Sequence, residues 1–342
     1  MQGYSAARMK LVVVIPALDE AETLPRVLAD LPATVPGFDA IETIVVDDGS
    51  SDGTTAVAFE HGANQVVRFP SRRGLAEAFG AGMDAALRAG ADVIVTIDAD
   101  NQYVAADIPQ LVIPILSGRT DIVVGERHGA GVEEFSRTKR LLQRIGSAAV
   151  RAASRTDVPD TTSGCRAYTR EAALRINVLG RFTYTLESLI QAGRSGLAVG
   201  SAPVATNPAV RRSRLFSSTF EYVMRSATQV ARAYATYAPL RTFLFLAALA
   251  FTASLVIFAR FLYYFAQNGS AGHIQSLILG GLLATAAFQV AAIGILGDLL
   301  SANRRLIERV LLRVRRLELA DGEERREPEP GLEDVLEPSP ER

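Results

Sequence analysis

Two carboxylates one residue apart, in Asp98-Ala99-Asp100-Asn101-Gln102, follow directly on the apolar, β-branched run Val93-Ile94-Val95-Thr96-Ile97. Such a run reads as a strand buried on both faces of a parallel sheet. Ligands in open α/β sheets gather at the carboxyl ends of strands. In an extended segment Asp98 and Asp100 point the same way, so two anionic groups converge. Like charges that close favour a cation between them, and oxygen ligands suit Mg²⁺ or Mn²⁺. The plainer reading is a strand end running into a solvated Asp-Asn turn. The surrounding elements must decide between the two.

Those elements alternate. Lys10 to Ile15 reads as a first buried strand, and Leu24, Val27, Leu28 and Leu31 follow at helical spacing. Ile41 to Val46 is a second strand, closing on the turn Asp47-Asp48-Gly49-Ser50-Ser51-Asp52-Gly53-Thr54, which opens a helix at Thr55. Gln65 to Phe69 is a third strand, and Leu75 to Arg88 a small-residue helix whose Gly80 and Gly82 allow close packing on a sheet. Asp92 to Ile97 and Asp121 to Gly125 complete five strands, with a late one at Val199 to Thr206. Strands alternating with helices predict a doubly wound α/β domain.

Carboxylates recur at the strand ends: Glu20 after the first, Asp47 and Asp48 after the second, Asp98 and Asp100 after the fourth, Glu126 after the fifth. Acids there can accept from ribose hydroxyls or base N–H groups, and a metal-bearing pair can serve a diphosphate. Neither G-x-x-x-x-G-K-[ST] nor a G-x-G-x-x-G after the first strand occurs, which disfavours triphosphate hydrolysis and dinucleotide binding. The net charge of −1 offers no global basic surface for nucleic acid. One cysteine, Cys165, excludes an internal disulfide and a cysteine metal cage, and reads as a small buried residue in a reducing compartment. No apolar leader precedes Lys10, so no cleavable signal peptide is expected, and residues 1–9 read as a flexible N-terminus.

Taken together, Ile15-Pro16-Ala17-Leu18-Asp19-Glu20, Val45 to Thr54, Arg73-Gly74-Leu75 and Asp98-Ala99-Asp100-Asn101-Gln102 resemble a family 2 glycosyltransferase of GT-A fold. Within that family the likeness is to the polyprenyl-phosphate glycosyltransferases, the dolichol-phosphate mannose synthase branch, over about residues 10–216. Asp19 stands where the family usually has Asn. The resemblance implies a mixed, mostly parallel sheet with Pro16, Leu18, Glu20, Asp48 and Ala99 on the donor. It implies a metal, Mg²⁺ or Mn²⁺, on Asp98, Asp100 and Gln102. Arg127, in Gly125-Glu126-Arg127-His128, corresponds to an arginine on the acceptor phosphate, with Arg140 assisting. Arg212 and Arg214, in Arg211 to Phe216, correspond to a segment closing over donor phosphates; a juxtamembrane basic cluster is the alternative. Thr162 to Tyr168 resembles a loop near acceptor and sugar, and Glu187, on the helix after it, orients a sugar hydroxyl or pairs with an arginine.

The chain has no tryptophan, whereas processive polysaccharide synthases of this superfamily carry a Gln-x-x-Arg-Trp segment. A polyprenyl phosphate is already anionic near neutral pH and needs no strong base, unlike a hydroxyl. The expected reaction is a single displacement with inversion. It moves mannose or glucose from GDP-mannose or UDP-glucose to a polyprenyl or dolichyl phosphate. The rivals are transfer to a lipid hydroxyl and a non-catalytic membrane-anchored binding module.

Hydrophobic residues make up 49% of the chain. Leu240 to Phe265 and Ile274 to Leu300 each reach the roughly 20 residues that span a bilayer. Arginines flank the pair on both outer sides, while residues 267–273 between them hold no Lys or Arg. The positive-inside rule then sets the catalytic domain and both termini in the cytoplasm of a two-span cell-membrane protein. Residues 217–239 read as an interfacial amphipathic helix. Residues 301–320 read as a basic helix that pairs between subunits, giving a homo-oligomer, or lies on the membrane. Residues 321–342, rich in Glu and Pro, are expected to be disordered.

Overall fold

The computed structural model describes residues 9–128, 156–178, 184–208, 239–268 and 274–324, with 151, 154 and 228. Arg140, Arg212 and Arg214, the acidic tail beyond Glu324 and all of the expected interfacial helix but 228 and 239 lie outside these residues; residues 321–324, expected in the disordered tail, end the last helix. Contacts divide the chain into two units. One comprises residues 1–140, 154–213 and 310–342; the other, 141–153 and 214–309.

The first unit is built on seven strands: β1 Lys10–Ala17, β2 Ala40–Asp47, β3 Gln65–Arg68, β4 Val93–Thr96, β5 Ile122–His128, β6 Arg166–Thr169 and β7 Val199–Ala205. Their order is β3-β2-β1-β4-β6-β5-β7, and every pairing is parallel except those of β6 with β4 and β5. Helices α1 Leu24–Ala29, α2 Thr54–Glu60, α3 Leu75–Arg88, α4 Ile108–Leu116, α5 Arg170–Arg175 and α6 Tyr184–Arg194 pack on it.

The near-continuous apolar runs have a direct cause: both sheet faces are covered. Along β1, Leu11, Val13 and Ile15 enter one core with Leu24 and Val27 of α1 and Leu111 and Val112 of α4. Val12 and Val14 enter the other with Phe79, Met83 and Leu87 of α3. Gly82 allows that second contact: a Cβ there would stand 2.3 Å from Val14 and 3.1 Å from Val46. This is the mixed, mostly parallel doubly wound sheet expected, with one addition. Residues 166–169, expected in a loop, form the antiparallel strand β6.

Two long helices follow, α7 Pro239–Asn268 and α8 Ile274–Glu324. Both are long and apolar enough to cross a membrane. The second expected span and the basic helix after it are one uninterrupted α8. Within the first unit, the end of α8 is docked rather than free. Leu312 and Leu319 pack on the core under α3 and α5. Arg316 pairs with Glu171 at 2.6 Å, and Arg315 with Asp84 at 3.5 Å. Arg315 also donates to the carbonyls of Leu174 and Ile176.

Candidate functional site

The site gathers at the carboxyl ends of β1, β2, β4 and β5. The loops after β1 and β2 are laced together. Asp19 N–H donates to Ser50 Oγ, Glu20 N–H to Thr54 Oγ1, and Ala21 N–H to Asp52. Asp19 adopts φ 53°, a left-handed conformation that Asn and Asp tolerate, and its carboxylate accepts from Ser51 N–H at 2.9 Å. The Asn-to-Asp departure therefore keeps both the backbone shape and a local acceptor. Pro16, next to last in β1, lies opposite Val46, Leu18 is half-buried, and buried Glu20 accepts from Thr23 Oγ1 at 2.6 Å. Pro16, Leu18 and Glu20 thus lie together where β1 runs into this laced loop.

Asp47 and Asp48 serve chiefly as anchors. Asp47 accepts from Ser50 N–H and from Thr55 Oγ1. Burial works to raise its carboxyl, but these bonds and Arg68 outweigh it and hold it below its ordinary value. Asp48 is buried and receives the amides of Arg73 at 2.7 Å and Gly74 at 2.9 Å, so it fixes the loop before α3.

The metal candidates differ from the expected picture in one respect. The strand ends at Thr96, and residues 99–100 lie in a turn with Asn101 at φ 59°. Asp98 and Asp100 therefore converge through a turn, not through strand alternation. Asp100 accepts from Gln102 N–H at 3.1 Å, which draws the third candidate into the same turn. Asn207, beyond β7, braces the turn by donating its backbone amide to Gln102 O and its side-chain amide to Asn101 O.

Asp98 keeps partial solvent access, yet packed protein around it, joined by the charge of Asp100, pushes its carboxyl up to about 7. Two acids that resist ionising together fit a hard divalent cation. Among the described residues no group of three or more His, Cys, Asp or Glu could hold a metal. Two carboxylates on such an ion would leave positions for substrate oxygens and water, as is common for Mg²⁺. Ala99 between them is buried.

The loop opposite packs against this pair. A Cβ on Gly164 would lie 2.5 and 2.6 Å from the two Asp98 carboxylate oxygens. The Gly164 carbonyl accepts from Thr96 Oγ1 and Tyr184 OH, and its amide donates to Tyr103 OH. Burial first, and the nearby Asp98 charge with it, raise the Tyr103 and Tyr184 phenols, which stay neutral.

Arg127 sits near the end of β5, half-buried. Its Nε and Nη2 form a fork on Asp160 at 2.6 and 3.0 Å, and Nη2 also donates to Thr162 Oγ1. Burial disfavours the guanidinium charge, but Asp160, Tyr103 and Asp98 more than restore it. Asp160, with burial opposing, is held below the ordinary carboxylate range by Arg127 and Thr162. His128 is exposed and contacts the carbonyl of Glu126; Glu187 lies in the first turn of α6. Sequence reasoning missed Asp160, Asn207, Tyr103 and Tyr184. A carboxylate two residues before the Thr162–Tyr168 segment was the one available signal.

Comparison with known proteins agrees with this geometry. Residues 12–176 match the model for glycosyl transferase family 2. An uncharacterized glycosyltransferase of Mycobacterium tuberculosis is 36% identical over 58% of this chain and 85% of its own length. Polyprenol monophosphomannose synthase of Mycolicibacterium smegmatis is 28% identical, covering 57% of this chain and 76% of the relative. Undecaprenyl-phosphate mannosyltransferase of Micrococcus luteus is 30% identical over 50% and 70%. Among solved structures, glucosyl-3-phosphoglycerate synthase of M. tuberculosis, crystallised with Mn²⁺, UDP and glucosyl-3-phosphoglycerate, superposes with a TM-score of 0.51. It shares 26% identity over 67% of this chain and 80% of that one. The paired carboxylates at the end of β4, the laced loops after β1 and β2 and these relatives converge: the chain belongs to glycosyltransferase family 2.

Proposed function

We propose that this protein transfers a hexose, mannose or glucose, from a nucleotide-sugar to a polyprenyl or dolichyl phosphate, with inversion. The observation that carries the reading is the closeness of two mutually repelling carboxylates, Asp98 and Asp100, to a half-buried arginine, Arg127, whose charge acts on Asp98. In this reading the carboxylates take the diphosphate with its cation, and the arginine takes the acceptor anion. The names of the relatives that act on polyprenyl phosphates support the choice of acceptor.

In this reading an acceptor phosphate oxygen attacks the anomeric carbon as the bond to the nucleoside diphosphate breaks. Arg127 holds the acceptor anion in line, with Asp160 and Thr162 orienting its fork. Arg140, and Arg212 and Arg214 on the donor side, are assigned by resemblance alone. Pro16, Leu18, Glu20 and Asp48 shape the nucleoside pocket. Asp98, Asp100 and Gln102 are the residues that would hold Mg²⁺ or Mn²⁺, which supplies charge neutralisation of the departing diphosphate. An anionic nucleophile leaves no proton to remove. α7 and α8 act as membrane spans, and the arginine-rich flanks assign the catalytic unit and both termini to the cytoplasmic face.

The test offers labelled GDP-mannose and UDP-glucose separately to purified full-length protein with a polyprenyl phosphate, with and without Mn²⁺ or Mg²⁺. Metal-dependent labelled lipid from one donor is expected. No lipid product despite intact nucleotide binding would overturn the acceptor assignment and favour a hydroxyl acceptor.

A further inference from the structure

Arg166 is among the largest side chains wholly excluded from solvent, at 0% exposure. It opens β6, opposite Thr96 of β4 and Val124 of β5. Its guanidinium donates to Ser163 O at 2.8 Å, Thr161 O at 3.0 Å, Thr185 O at 2.8 Å and Ser188 Oγ at 2.9 Å. None of these four acceptors is a carboxylate. The anion that acts on it belongs to the site: the Arg166 charge works to lower the Asp98 carboxyl, whereas its four neutral hydrogen-bond partners do not by themselves offset the cost of burying a cation in a strand interior. The fold by itself therefore gives no reason for an arginine at this position.

The loop it grips supplies the reason. At one end of the loop, Asp160 and Thr162 hold Arg127. Toward the other end, Gly164 packs on the Asp98 carboxylate. Arg166 bonds carbonyls on both sides of Thr162, at 161 and 163, and ties them to the N-terminal part of α6 through Thr185 and Ser188. A planar fork with several donors can fix such a set of carbonyls; a lysine ammonium cannot span them.

We propose that Arg166 is a positioning residue: by clamping residues 161–163 to α6, it sets the spacing between Arg127 and Asp98 that sugar transfer requires. The inference rests on the acceptor reading given above, and it concerns alignment of the two halves of the site, not affinity for either.

The test uses full-length R166K in lipid nanodiscs, followed by hydrogen exchange, sugar transfer to polyprenyl phosphate, and hydrolysis of the nucleotide-sugar by water. Exchange in residues 160–165 is expected to accelerate about tenfold or more, while β1 to β4 keep the parent's protection. Transfer falls roughly thirtyfold, with hydrolysis falling by a smaller factor, so the partition moves toward water. S188A removes one of the four bonds and no charge, and shifts the same readouts in the same direction by about threefold. It decides the matter if R166K does not fold. Parent-like exchange and partition would overturn the proposal. So would equal loss of transfer, hydrolysis and nucleotide binding with exchange raised throughout the unit, which marks a merely structural role. A parent that glycosylates no polyprenyl phosphate overturns the acceptor reading instead, and exchange at residues 160–165 still decides on Arg166.

Discussion

Replacing Gly164 with alanine adds one methyl group beside the paired carboxylates. The new Cβ would stand 2.5 and 2.6 Å from the Asp98 oxygens and 2.9 Å from its carboxyl carbon. Comfortable nonbonded separations are roughly 3.5 Å, so something must move by nearly 1 Å. The Gly164 peptide is held by Thr96, Tyr103 and Tyr184, all buried, so it cannot retreat. The Asp98 carboxyl is the part that yields. A misplacement of about 1 Å in a site of this kind costs on the order of 100-fold in rate, or about 2.7 kcal/mol. Overpacking adds a stability loss of about 1–3 kcal/mol. The assay is Mn²⁺ titration of G164A by binding and by sugar transfer, with a melting curve alongside. G80A is the control: a Cβ there meets nothing within 4 Å, and a helix-interior Gly→Ala change should stabilise by about 0.5–1 kcal/mol. A G164A enzyme with parental metal affinity and turnover would refute the claim that Asp98 is set against this loop.

Further outcomes follow from the same geometry. Because Asp98 is pushed up to about 7, divalent metal must displace a proton below that pH; apparent Mn²⁺ affinity should rise about tenfold per unit up to pH 7 and then level off, as read by calorimetry in two buffers. The raised carboxyl also means that the metal-free fold loses stability as pH climbs from the ordinary carboxylate range toward 7, and D98N should remove that slope in melting curves. Asp160 works in the opposite sense. Its depressed carboxyl contributes stability that is present above the ordinary carboxylate range and lost as pH falls through the folded value. D160N should therefore melt lower than the parent at pH 7, converge with it in acid, and show a raised KM for the acceptor with little change for the donor. Arg316 and Glu171 form a half-exposed pair, so R316A should cost under about 1 kcal/mol, less at high salt.

Much of the site was legible in the sequence because its residues are contiguous with strand ends. Asp47 closes β2 with Asp48 next to it, Asp98 and Asp100 come just after the apolar run of β4, and a parallel strand delivers its next residues to one edge of the sheet. Arg166 and β6 were not legible for a physical reason. A four-residue strand that opens with a buried arginine breaks the rule that charges stay outside, so the pattern reads as a loop. The docked end of α8 was equally hidden, since Arg316 reaches Glu171 across 145 residues and a basic amphipathic helix looks the same whatever covers its apolar side.

The sequence by itself determined the alternation of strands and helices, the two long apolar helices, and the residue types available for a diphosphate and a cation. These follow from periodicity and local chemistry, which act over a few residues. Only the tertiary structure decided that Asp98 and Asp100 meet through a turn, that Asp160 holds Arg127, and that Gly164 presses on Asp98 from a loop 66 positions away. Contacts of this kind depend on the insertion of β6 between β4 and β5, and strand order arises from global packing, on which local pattern is silent.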